Sequence, residues 1–209
     1  MSRQDEYKKY FDMTLDRESD SIKSLKDSLD YETMEKIVDL LIPVKEEKRR
    51  VITAGCGTSG AAAKRIAHIL SCVETPAMFL SPSEAAHGGM GFIQKDDIVV
   101  LLSKGGNTGE LLNFIECCKT KGAILIAVTN NAESVLAKTC DYTILIDSGE
   151  EVDAFKILPC ASTLDVIATW DAIAHTIMRY NGMKMEDLLL IHPNGNTAER
   201  LINKINNEK

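Results

Sequence analysis

The 209-residue sequence is poor in aromatics, at 5%, with one Trp and five prolines. It has no apolar run near the roughly 20 residues of a membrane-spanning helix, so no membrane partner is expected. Basic residues do not dominate: 24 Lys and Arg face 31 Asp and Glu, a net charge of −7. That balance disfavours a nucleic-acid or anionic-membrane surface but leaves room for a local basic pocket. Six cysteines, at 56, 72, 117, 118, 140 and 160, lack C-x-x-C spacing, and the adjacent pair fits neither a disulfide nor a zinc site. They are expected as reduced, mostly core-facing thiols of a cytoplasmic protein. The opening residues, Met1 to Glu6, are charged and lack the apolar core of a signal peptide. There is no internal repeat, low-complexity tract or second-domain linker.

What is present is a repeated alternation of short apolar runs with helical periodicity. Residues 3 to 28 read as a polar helix with a thin apolar stripe at Tyr7, Tyr10, Phe11, Leu15, Ile22 and Leu25. A second helix runs from Asp30 to Ile42 and stops at Pro43. The two helices (residues 1–44) are expected to pack on the domain or a neighbouring subunit. Lys45 to Arg50 reads as a solvated linker. From residue 45 to 209 strands are expected near 51–54, 77–80, 97–103, 124–129 and 142–146. Helices are expected near 61–72, 109–121, 132–138, 162–181, 185–191 and 197–207. Continuous apolar strands between helices predict a five-stranded, parallel, doubly wound α/β sheet of flavodoxin-like order. Such sheets bind ligands beyond the carboxyl ends of their strands.

Four loops there carry polar residues. Gly55-Cys56-Gly57-Thr58-Ser59-Gly60 has the G-x-G-x-x-G spacing of a dinucleotide turn. The acidic residue that would hold a ribose after the second strand is missing; that strand ends Leu80-Ser81-Pro82-Ser83. Thr58 and Ser59 instead suit a compact phosphate at a helix N-terminus, or one of them caps the helix. Ser103-Lys104-Gly105-Gly106-Asn107-Thr108-Gly109-Glu110 repeats the design, so two turns after neighbouring strands would share one phosphate. Glu110 serves the helix dipole or a capping box with Asn107. His87 lies in a loop before two glycines, and His192 lies between two helices before Pro193. Glu150-Glu151-Val152-Asp153 precedes Ser162-Thr163 at the start of a long helix. One of these carboxylates near an anion site would serve as a general base.

Taken together, G-C-G-T-S-G, S-K-G-G-N-T-G-E, S-E-A-A-H-G and I-H-P-N-G-N resemble the sugar isomerase (SIS) domain. The motifs lie nearest its arabinose-5-phosphate isomerase-like subgroup, here without the tandem CBS domains usual there. The resemblance covers roughly Leu41 to Leu201. It implies a three-layer α/β/α sandwich and a phosphosugar held at the strand ends. It also implies sites completed by neighbouring subunits of a homo-oligomer, a dimer or tetramer. By motif, Ser59, Ser103 and Thr108 match phosphate contacts, with Ser162 and Thr163 as additions; Thr58 is a phosphate candidate from its own hydroxyl alone. Glu151, His87 and His192 match the family's acidic and histidine positions. The sequence departs from the subgroup at Thr58, where Lys is expected, at Gly105 for a hydroxyl residue and at Asn107 for Glu. Lys104 is a candidate replacement for the missing cation; the alternative is a Lys pointing to solvent.

The expected chemistry is aldose–ketose interconversion of a sugar phosphate through an enediol. It needs a base, an acid that polarises the carbonyl oxygen and an anchored phosphate, but no redox cofactor. Glu151 is the candidate base, His192 the ring-opening or proton-shuttling group, and His87 a partner for sugar oxygens. Two rivals stand beside it. Thr58 and Asn107 favour a phosphosugar sensor without catalysis. A metal-dependent isomerase using His87, Glu151 and His192 would need ligands far apart in sequence, and no metal is expected.

Overall fold

The structure is a computed structural model that describes residues 2–207; Met1 and the last two residues of the expected 45–209 unit lie outside it. Two helices come first, α1 (Arg3–Ser28) and α2 (Tyr31–Leu41). The α/β alternation follows: β1 (Val51–Gly55), α3 (Gly57–Cys72), β2 (Ala77–Phe79), α4 (Pro82–Ala86), β3 (Ile98–Leu102) and α5 (Gly109–Lys121). Then come β4 (Ile124–Thr129), α6 (Val135–Thr139), β5 (Tyr142–Leu145), α7 (Ala161–Tyr180), α8 (Met185–Ile191) and α9 (Gly195–Asn207).

All five strands are parallel, in the order β2-β1-β3-β4-β5. This is the flavodoxin-like order, whose switch point lies between β1 and β3. Each central strand is buried on both faces, and its side chains alternate between two cores. Val51, Ile98, Val100, Ile126 and Val128 pack with Trp170, Ile173 and Ile66 under α2, α3 and α7. Ile52, Val99, Leu101 and Leu125 pack with Leu111, Phe114 and Leu136 under α5 and α6. Phe114 is fully buried, and truncating such a side chain to Ala costs about 3–5 kcal/mol.

Helix α3 is pressed tightly onto β1. Thr53 Oγ1 donates to the Ala63 carbonyl at 2.8 Å. A Cβ on Gly60 would lie 2.6 Å from the Gly55 carbonyl oxygen, so the close approach needs glycine. The helix opens at Gly57 rather than at Ala61. Cys56 takes the N-cap in extended conformation, without a side-chain bond. Thr58 and Ser59 therefore lie in the first turn, and neither is the cap.

Three further expectations change. Lys45 to Arg50 is not a free linker. Arg50 donates to both Asp97 oxygens, with Nη2 at 2.8 Å, and Arg49 Nη2 reaches the Leu40 carbonyl at 3.1 Å. Asp97 at the start of β3 needs that partner because its carboxylate is almost wholly buried. Of the six free thiols only Cys118 is buried; the other five are partly exposed. Burial pushes the Cys118 and Cys140 thiols up to about 12, which keeps both protonated. On α1, Leu25 is buried but Tyr7, Tyr10, Phe11, Leu15 and Ile22 are exposed. The helix is pinned through Ser21, whose hydroxyl donates to Asp165 Oδ2 at 2.6 Å.

Candidate functional site

The crevice lies beyond the carboxyl ends of the strands, with the ends of β3 and β4 and the first turns of α3 and α7 around it. On the β1 side the first turn of α3 presents the amides of Gly57, Thr58 and Ser59, which have no protein acceptor among the described residues. These are the unpaired donors of a helix N-terminus, at its positive end. On the β3 side Ser103 ends the strand, nearly buried at 6% exposure. Its Oγ accepts from the Gly106 amide at 3.0 Å and shares a 2.8 Å hydrogen bond with Thr108 Oγ1. Gly106 has φ of +67° and a Cβ there would fall 2.1 Å from Ser134 Oγ, so the tight turn demands glycine. The amides of Lys104, Gly105, Asn107 and Thr108 find no protein acceptor among the described residues.

Asn107 does not pair with Glu110. Its Oδ1 accepts from the Val135 amide at 2.9 Å and so braces the start of α6. The helix α5 cap is Thr108, whose hydroxyl is already turned to Ser103.

Glu151 is buried beside this turn, at 4% exposure. Its Oε2 accepts the amides of Cys160 and Ala161 at 3.0 Å each, and so closes the N-terminus of α7. Its Oε1 accepts from Ser162 Oγ and from Lys104 Nζ, the latter at 2.7 Å. Burial alone would raise the carboxyl's pKa. The hydrogen bonds from Lys104, Ser162 and the Cys160 amide outweigh it and hold the group below its ordinary value. Arg17 on α1 ties the same segment down: Nε donates to the Glu150 carbonyl at 3.0 Å and Nη2 to that of Ser148.

Ser59, Ser103, Lys104, Ser162 and Thr163 line one pocket, with Thr129 behind them. It encloses only about 40 Å³. Thr163 keeps its hydroxyl on the Pro159 carbonyl at 2.9 Å. Across the α3 N-terminus lies a wider pocket of about 440 Å³, with Gly57, Lys64, Ser81, Ser83 and Glu110 on its walls. The sequence reads Glu110 as a dipole or capping-box residue. Its position in the first turn after a glycine-rich strand end was the available signal for a crevice carboxylate.

The fold thus brings together Ser59, Ser103, Thr108, Lys104, Glu151, Ser162 and Thr163. It leaves out three sequence candidates. Thr58 is exposed and lines neither pocket, and the same holds for His87 at the end of α4. His192 caps α8, and its Nε2 lies 3.7 Å from Cys72 Sγ, at the far end of α3. At about 1.5 Å per residue that is roughly 20 Å from Ser59 of the same chain. Among the described residues no group of three or more His, Cys, Asp or Glu is arranged to hold a metal ion. None of the described helices is long and apolar enough to cross a membrane.

Comparison with known proteins finds the same fold. Arabinose 5-phosphate isomerase KdsD of Pseudomonas aeruginosa is 37% identical over 158 residues, 76% of this chain and 48% of that protein. The chain spans about half the length of the curated relatives it matches. A Listeria monocytogenes protein provisionally described as a sugar-phosphate isomerase has a solved structure that superposes with a TM-score of 0.88 at 43% identity. That match covers 93% of this chain and all of the other. The Escherichia coli CFT073 protein c3406, solved in complex with a sugar phosphate, superposes at 0.84 with 27% identity, over 92% of this chain and 100% of that one. Residues 46–176 match the SIS domain, most of the chain, and with these relatives they make it a member of the SIS domain family.

Proposed function

We propose that the chain is a phosphosugar isomerase of the arabinose-5-phosphate isomerase type, interconverting an aldose and a ketose phosphate through an enediol. The observation that carries this reading is that Ser59, Ser103 and Ser162 line one pocket, with Thr108 bonded to Ser103, beside two strand-end turns whose amides find no protein acceptor among the described residues. Free amides and hydroxyls at a helix N-terminus suit a phosphate. Held there, the phosphate anchors the sugar so that its carbonyl end meets the acid–base groups. Glu151 is assigned as the base that removes the proton beside the carbonyl and returns it to the neighbouring carbon. Glu110, on the wall of the wider pocket across the α3 N-terminus, is a second candidate carboxylate for the reaction.

His87 and His192 lie outside the chain's own cradle, which supports a homo-oligomer in which a neighbour supplies them. Residues 1–44 would pack there, with the exposed Tyr7, Tyr10 and Phe11 of α1 covered by a second copy. The six free thiols fit a cytoplasmic setting. A panel of pentose and hexose phosphates tested by thermal shift checks the reading. Phosphorylated sugars are expected to raise the midpoint and their unphosphorylated forms to leave it unchanged.

A second reading, a phosphosugar sensor without turnover, is favoured by one observation. Every oxygen of Glu151 is engaged, and the pocket beside it holds little more than water.

A further inference from the structure

The obstacle to catalysis and the gap in the phosphate cradle meet in one side chain. Lys104 belongs to the turn that supplies Ser103 and Thr108, yet its ammonium pairs with Glu151 while their hydroxyls bond to each other. In that position it lines the pocket of about 40 Å³ and occupies the oxygen that a base would need free. Its backbone cannot swing. The Lys104 carbonyl accepts from the Asn130 amide at 3.0 Å and from Thr129 Oγ1 at 2.9 Å. The side chain is different: 37% exposed, with four rotatable bonds about a fixed Cα, while its partner Glu151 is 1% exposed and held by three further donors. Of the two ions, only Lys104 is free to move.

We propose that Lys104 is a transferable counter-ion, which leaves Glu151 for the incoming phosphate and so opens the pocket and frees the base in one motion. This rests on the reading of the strand-end turns as a phosphate cradle. A phosphate dianion there meets serine and threonine hydroxyls and backbone amides, and Lys104 is the ammonium already lining the pocket. The dianion outcompetes a single carboxylate for the ammonium because it carries more charge and more acceptor oxygens. Glu151 keeps the Cys160 and Ala161 amides and Ser162, so it stays in place. Without its counter-ion, the buried carboxylate gains affinity for a proton. The base is then strengthened only when a phosphorylated ligand is seated. Inorganic phosphate or an unphosphorylated sugar alone would each supply half of what turnover needs.

The test follows the Lys104 ammonium directly by ¹H–¹⁵N NMR of the intact chain, its resonance assigned by its loss in Lys104→Met. Saturating inorganic phosphate, and separately arabinose 5-phosphate, are expected to shift that resonance. Isothermal titration is expected to find Lys104→Met weaker for inorganic phosphate by about tenfold or more. Folded Glu151→Gln is expected to bind inorganic phosphate at least as tightly as wild type, since its Lys104 has no competing carboxylate. Ligand binding that leaves the Lys104 resonance unmoved overturns the exchange, as does phosphate affinity lost in folded Glu151→Gln, which would make the pair a fixed brace. Failure of wild type to bind either ligand overturns the cradle reading, and the exchange with it.

Discussion

His192 Nε2 and Cys72 Sγ meet 3.7 Å apart, at the end of α3 opposite the one that carries Ser59. His192 Nδ1 is buried there without a partner among the described residues. If His192 acts in catalysis, it acts in a neighbour's cradle. His192→Ala and Ser103→Ala are each expected to lose most turnover as separate preparations. Mixed after reversible dissociation, they are expected to recover activity, because some sites then combine an intact cradle with an intact histidine. Activity that stays at the level of the separate variants would place the histidine outside the reaction.

Ser103 and Thr108 act as one unit. Ser103→Ala removes the oxygen that both the Gly106 amide and Thr108 use. It is expected to cost about 1 kcal/mol of stability and to weaken phosphosugar binding about tenfold. Thr108→Val is expected to weaken binding with a smaller stability loss, since its hydroxyl is the outer one. Urea unfolding and calorimetric titration separate the two effects.

Gly106→Ala combines strain with a clash. The residue sits at φ of +67°, and the new Cβ would collide with Ser134 Oγ at 2.1 Å. Ser134 also caps α6 by accepting the Ala137 amide at 3.2 Å, so moving it undoes a second contact. A loss of about 2–3 kcal/mol or more is expected in urea unfolding. A variant within about 0.5 kcal/mol of wild type would mean that the turn is not fixed as described.

Glu151 links stability to pH with a definite sign. Its carboxyl lies below the ordinary 4.5 in the folded chain. The unfolded chain therefore takes up the proton first as pH falls. The contribution is present above pH 4.5 and lost as pH drops through the folded value. Lys104→Met removes one of the causes, so its Glu151 titrates nearer the ordinary value. Between about pH 6 and pH 3 the variant is expected to lose less urea stability than wild type. Parallel curves would contradict the ion pair's part in holding that carboxyl down.

Local patterns made much of this visible in the sequence. The apolar runs at Val51, Ile98 and Ile124 read as buried parallel strands because both faces are covered and no polar alternation interrupts them. Ser59 and Ser103 were legible because glycine and hydroxyl residues directly follow a strand. The start of α3 was misplaced because Thr58 and Ser59 look like caps, whereas the extended backbone falls on Cys56. Arg49 and Arg50 read as solvated because their partners, the Leu40 carbonyl and Asp97, belong to other elements. The capping contacts of Glu151 depend on amides nine and ten residues away, and the approach of His192 to Cys72 on a contact 120 residues apart. Neither distance leaves a periodic trace. Glu110 was hidden differently: a carboxylate in a first helical turn is ordinary, and only the crevice beside it gives it meaning.

The most direct test is ¹H and ¹³C NMR of arabinose 5-phosphate incubated with the intact chain in D₂O. Turnover through an enediol exchanges the proton beside the carbonyl with solvent. The expected result is conversion to the 2-ketose phosphate with deuterium at the carbon that receives the transferred proton, absent in Glu151→Gln. Saturable binding of the sugar phosphate with neither conversion nor deuterium uptake, across pentose and hexose phosphates alike, would contradict the isomerase account and leave a phosphosugar sensor.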